Sequence, residues 1–163
     1  PRPAALPIFL YLGTPLHCLQ RLQRVQNVAA GLLLNIPKQV FISEGLKSLH
    51  WLPVKDRLVF KALVFCYRAL SNSGPSYLQP LVRAYSPARQ LRSSTACLAE
   101  VLRFKRARKG SRSFQIQALQ LWNSLPLAIR LASSESSFRK ALKTWLFPAK
   151  GSAGQFVYVY SGG

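Results

Sequence analysis

Acidic residues are nearly missing from this chain. Its 163 residues include four, Glu44, Asp56, Glu100 and Glu135, against 23 lysines and arginines, a formal charge of +19. Polymerases and nucleases that use two metal ions need carboxylates gathered on the cations. With one aspartate, no Asp-Asp or Asp-x-Asp pair, and Glu44 and Glu135 suited to helix first turns, that chemistry is not expected. His17 and His50 stand singly, and Cys18, Cys66 and Cys97 are far apart and odd in number. Neither zinc spacing nor a disulfide framework follows, so a reducing compartment is expected. The cysteines read as semi-buried thiols and the histidines as partly buried, hydrogen-bonded side chains. A Ser-His-Asp set drawn from His17, His50 and Asp56 lacks a nucleophile elbow, and no Gly-Lys-Ser/Thr phosphate loop occurs. The expectation is a protein that is not an enzyme and uses no metal or cofactor.

Methionine is absent and long apolar runs are lacking. The stretch from Ala4 to Leu16 is interrupted by Pro7, Gly13 and Pro15, and it is too short to span a bilayer. It also lacks the pattern of a signal peptide. Residues 1–15 are therefore expected to lie outside the domain, in a chain that reads as part of something longer. The expected location is intracellular, nucleus or cytoplasm, not secreted, and a membrane partner is not expected.

What is present is enough apolar residue, 49% of the chain, to build a core, arranged at helical spacing. Leu16, Leu19, Leu22, Val25, Ala29, Leu32 and Leu33 form one stripe, opposite Gln20, Arg21, Gln23, Arg24 and Asn27. Gly31 is a weak helix residue that predicts early fraying. Ser43 is the expected N-cap of a short helix with Glu44 in its first turn. A helix from about Pro53 to Ala69 is apolar on more than one side and is expected to be central. Ser71 to Pro75 ends it with turn chemistry. A short helix around Tyr77 to Val82 follows, and the run from Cys97 to Phe104 suits either a strand or a helix. Further helices are expected from Phe114 to about Asn123, from Pro126 through Ile129, and after a cap at Ser133 or Ser134 with Glu135 in the first turn. In that last helix Phe138, Leu142, Trp145 and Leu146 share a face opposite Arg139, Lys140 and Lys143. The fold class is thus mainly α, an irregular helical domain over 16–148 of about five to six helices with at most a small β-hairpin. A flexible C-terminal tail, 151–163, is expected after it.

The strongest positive signal is Arg103 to Arg112 (RFKRARKGSR), six cations in ten residues with no acid. Arginine and lysine in such a run attract phosphates, and arginine adds forked hydrogen bonds. Arg103, Lys105, Arg106, Arg108, Lys109 and Arg112, with Arg89 and Arg92 upstream, are the expected nucleic-acid contacts. Phe104, with Tyr85 and Trp122 nearby in sequence, has the chemistry to stack on unpaired bases, although a core position is the commoner fate for Phe104. Arg21 and Arg24 form a second, smaller basic surface. The last helix is also basic and amphipathic, a pattern that membrane-surface helices share.

Three segments carry a resemblance: Leu22 to Ala30 (LQRVQNVAA), Leu46 to Val54 (LKSLHWLPV) and Leu121 to Pro126 (LWNSLP). With Tyr85 to Ser94, Gly110 to Phe114 and Ser137 to Phe147 (SFRKALKTWLF), they resemble the C-terminal region of LINE-type, non-LTR retrotransposon polyproteins, downstream of the reverse transcriptase domain. The likeness covers about residues 19–147 in order. Gly31 to Glu44 departs from the more polar, basic connector of the family. The resemblance implies a module that helps to hold RNA or DNA and that packs beside the reverse transcriptase domain of its own polyprotein. The polymerase's Tyr-Ala-Asp-Asp type motif is not in this chain, so its activity is not implied. The other expectation is a structural relic of a retrotransposon, built to pack on a missing polymerase domain.

Overall fold

The computed structural model describes residues 16–36, 42–86, 97–101 and 114–147. Among these the protein is mainly helical: α1 (Leu16–Leu34), α2 (Ile42–Ser48), α3 (Val54–Leu70), a 3-10 helix (Ser76–Leu81), α4 (Phe114–Ser124), α5 (Leu127–Arg130) and α6 (Glu135–Leu146). No strand occurs among the described residues, and the one isolated antiparallel bridge joins Ala84 to Ala99. The segments expected as an N-terminal extension (1–15) and a C-terminal tail (151–163) lie outside the described residues.

Helix α3 is central, as its many-sided apolar pattern requires. It packs against α1, α4, α6 and the 3-10 helix. Val59, Ala62, Leu63, Val64, Cys66 and Ala69 are buried along it. The core then closes with Leu119 and Trp122 of α4 and with Phe138 and Leu142 of α6. Tyr67 stacks on Phe138 with ring centroids 4.5 Å apart, and Trp122 meets the same phenylalanine at 5.7 Å. The Tyr67 hydroxyl donates to the Ala132 carbonyl at 3.0 Å, tying α3 to the loop before α6. Truncating a fully buried side chain such as Leu63 to alanine is worth about 2–5 kcal/mol in a packed core.

Three helices start directly after a proline. Pro53, Pro75 and Pro126 occupy the N-cap position at polyproline II angles, with ψ of 151°, 141° and 142°. Their fixed φ aims the chain into the first turn without a side-chain cap. α6 begins differently: the Ser134 hydroxyl accepts from the Ser137 N–H at 3.2 Å, and Glu135 occupies the first turn. Ser43 does not cap α2, because the helix already begins at Ile42 and Ser43 lies inside the first turn.

Helix ends share one device. At α1, Ile36 N–H donates to Gly31 and Asn35 N–H to Leu32, with Asn35 at φ 49°. At α2, Trp51 bonds back to Leu46 and His50 to Lys47, with His50 at φ 53°. At α3, Ser73 bonds to Arg68 and Asn72 to Ala69, with Asn72 at φ 52°. Each is a Schellman closure that satisfies carbonyls the helix leaves open. The first of them explains why α1 does not fray at Gly31: that residue's carbonyl is an acceptor in the closure. Gly45 lets α2 approach the end of α1 closely, and a side chain there would push two flexible side-chain ends aside. A Cβ there would sit 2.9 Å from both Ile36 Cδ1 and Leu34 Cδ1.

The inward face of α1 differs from the expected stripe. Leu19 and Ala30 are buried, while Leu22, Val25, Leu32 and Leu33 are exposed. The inward side also carries two glutamines. Gln26 Nε2 donates to the Leu52 carbonyl at 2.9 Å, and Gln23 Oε1 accepts from Val54 N–H at 2.8 Å. Those backbone groups flank Pro53 at the start of α3, where helix N–H groups lack partners of their own. Leaving either group unpaired would cost roughly 1–3 kcal/mol, which favours the glutamines on this side of α1.

Candidate nucleic-acid interface

All nine residues singled out for nucleic-acid contact, Arg89, Arg92, Arg103, Phe104, Lys105, Arg106, Arg108, Lys109 and Arg112, lie outside the described residues. Their attachment points are described, and three of the four lie at one node. Segment 83–85 pairs antiparallel with segment 98–100: Tyr85 N–H donates to Leu98 and Glu100 N–H to Arg83, both at 2.8 Å. Ala84 and Ala99 therefore face each other as a pair that exchanges no hydrogen bonds, and the amide and carbonyl of Ala99 point the other way. There they meet Asn123 of α4. Its Oδ1 accepts from Ala99 N–H at 2.8 Å and its Nδ2 donates to the Ala99 carbonyl at 2.9 Å. One carboxamide thus stands in for a neighbouring strand. Trp122 Nε1 donates to the Cys97 carbonyl at 2.9 Å and holds that residue in the left-handed region, φ 46°.

Consequently segment 87–96, which carries Arg89 and Arg92, leaves and re-enters at the paired backbone of residues 85 and 98. Segment 102–113, which carries the other six cations, leaves beyond Glu100 and re-enters as α4, the helix whose Trp122 and Asn123 clamp residues 97–99. Segment 87–96 thus has both ends at the node, and segment 102–113 has its first end there and its second at the far end of α4, about 13 Å along the helix from Asn123. Of the expected strand or helix from Cys97 to Phe104, residues 97–101 are described, and they form neither, with a single bridge at Ala99.

Trp122 is no stacking platform, contrary to expectation: it is 2% exposed, packed on Phe138, and its N–H is engaged. Tyr85 is exposed at the node. Arg21, Arg24 and Arg83 are exposed as well. His17 and His50 are exposed rather than partly buried. Cys66 is buried, which pushes its thiol up to about 12, whereas Cys97 is exposed and Cys18 lies between. Burial raises the carboxyl of Asp56, with Lys55 acting in the opposite sense. Glu135 is lowered, first by the hydrogen bond from Arg68 and then by the nearby charges of Arg139 and Arg68. Its Oε1 lies 2.8 Å from Arg68 Nη2 and 2.7 Å from Arg139 Nη2. Among the described residues no three histidine, cysteine, aspartate or glutamate side chains converge as metal ligands. No helix among them is long and apolar enough to cross a membrane. The apolar side of α6 is occupied by the core, where Phe138 and Leu142 are fully buried.

Sequence reasoning missed the Asn123 clamp and the two α1 glutamines. The available signal was a polar side chain set among apolar neighbours, in Leu121 to Leu125 and again between Leu22 and Ala29. Comparisons with protein-family models, with curated proteins and with solved structures gave no match.

Proposed function

We propose that this protein is a non-catalytic nucleic-acid-binding module, derived from the tail of a retrotransposon reverse transcriptase polyprotein, that grips phosphates through two basic segments rooted on a helical body. The distribution of charge carries the reading. All four acids lie among the described residues, together with 12 of the 23 cations; the remaining 11 cations have no acid in their segments. Eight of those 11 are on the two segments that flank residues 97–101 in sequence, 87–96 and 102–113. An excess of cations on tethered segments attracts a polyanion while the body folds around its own core. Binding of this type reads phosphates and is tolerant of base sequence.

The test is a salt titration of binding to single-stranded RNA, single-stranded DNA and duplex. With about six phosphates engaged on duplex, log affinity against log salt falls with a slope near −5, on the order of −0.9 per phosphate. Changing Arg106, Arg108 and Lys109 together to glutamine reduces that slope to roughly −3. A flat salt response, or an unchanged slope in the triple variant, refutes the reading. The exposed aliphatic face of α1 favours a second reading, a structural relic that packs on an absent polymerase domain. Aggregation of the purified chain without a cooperative thermal transition would support it.

A further inference from the structure

We propose that the outward seam of α1 docks an acidic amphipathic helix of a partner protein. Cys18, Leu22, Val25, Ala29 and Leu32 follow one another in steps of four, three, four and three, the spacing of a two-helix coiled-coil seam. The larger members are open to solvent: Leu22 is 45%, Val25 68% and Leu32 79% exposed, with Val28 and Leu33 alongside at 63% and 65%. Five of the eight exposed large apolar side chains among the described residues belong to this one helix. Meanwhile Leu19, Gln23, Gln26 and Ala30, about a third of a turn round α1, anchor it in the body and close one flank of the seam, leaving the other flank open. The seam is therefore presented by an already ordered helix, which lowers the ordering cost of binding.

Charge selects the occupant. Residues 16–34 contain Arg21 and Arg24 and no acid. Arg21 sits on the flank of the seam beside Leu22, the place from which a coiled-coil residue meets the partner's flanking charge. Glutamate on an incoming helix would pair with it. A second copy of this chain brings only further arginine to the same flank, and each copy carries +19, so self-association is opposed. A lipid surface fits less well, since α1 has no tryptophan, phenylalanine or tyrosine to anchor in the interface.

The probe is a fluorescent synthetic peptide of about three heptads, with leucine at the seam positions and glutamate on the flanks. It is titrated into the full chain beside a scrambled peptide of the same composition and a version with lysine flanks. The acidic heptad peptide is expected to bind at least about tenfold tighter than either, a difference on the order of 1.4 kcal/mol. The double variant Val25→Asn/Leu32→Asn should reduce binding to the scrambled level with an unchanged thermal midpoint, since both side chains are solvent-exposed. Equal binding of the scrambled or lysine-flanked peptide, or no effect of the double variant, overturns the proposal. So does a dimer in sedimentation that Leu32→Asn dissolves, or seam-dependent binding to phosphatidylserine vesicles in preference to the peptide.

Discussion

Asn123 holds the chain at Ala99, between the two basic segments of the sequence. Its carboxamide satisfies both backbone groups of Ala99, a residue only 3% exposed. Asn123→Ala removes two hydrogen bonds and strands a buried amide, a loss of about 2–3 kcal/mol in urea unfolding. Asn123→Asp should recover little, because a carboxylate cannot donate to the Ala99 carbonyl. The residue is visible in the sequence, inside Leu121 to Pro126, but its role is not. Its partner lies 24 positions away, and only the pairing of 83–85 with 98–100 turns Ala99 toward it. Glu135 was legible as a first-turn acid. What local pattern concealed was Arg68, 67 positions upstream, which depends on α3 and α6 lying side by side. Because the folded carboxyl is held below its ordinary range, its contribution is present above the unfolded value and is lost as pH falls through the folded one. Glu135→Gln should lower stability by about 1 kcal/mol at pH 7 for this partly exposed pair. The two proteins should converge as pH falls through the lowered carboxyl's range, and urea midpoints measured downward from pH 7 follow the difference.

Helix existence and order were legible at the scale of the element, since steps of three and four between prolines leave few alternatives. The facing of α1 was not. A stripe count treats glutamine as an outside residue, yet the start of α3 needs an acceptor for Val54 N–H and a donor for Leu52, and Gln23 and Gln26 supply them from α1. Helix ends were half legible: Ser71 to Pro75 announced a turn, whereas nothing local marked His50 as a left-handed residue. At His50 the backbone conformation, φ 53°, disfavours side chains branched at Cβ. His50→Gly is expected to leave thermal stability equal or raise it by up to about 1 kcal/mol, while His50→Val should cost about 1–2 kcal/mol. Thermal midpoints of the two variants check this, and equal midpoints would contradict the closure as described.

Taken as a whole, the molecule separates its charges. Its helical body holds every acid, and the segments without acids hold almost half the cations. Self-repulsion then opposes folding and weakens as salt screens it, over a Debye length of about 10 Å at 0.1 M. Moderate salt is expected to raise the thermal midpoint of the free chain while it lowers nucleic-acid affinity. Scanning calorimetry set beside the binding titration reads both signs. A midpoint that fell with salt would mean that attractive pairs such as Arg68 with Glu135 outweigh the repulsion. Composition made the imbalance plain. The node from which both cationic segments depart depends on contacts between residues far apart in sequence, such as Ala99 with Asn123, which no local pattern encodes.

The basic segment 102–113 also divides the core between two stretches of chain. α3, with Leu63 and Cys66, comes before it; α4 and α6, with Trp122, Phe138 and Leu142, come after. The shared core around Leu63 is complete only when both stretches meet, so the two must find one another across a stretch of mutually repelling cations. A polyanion that neutralises that stretch would ease the meeting. The ligand proposed for the finished protein would then also act on its assembly.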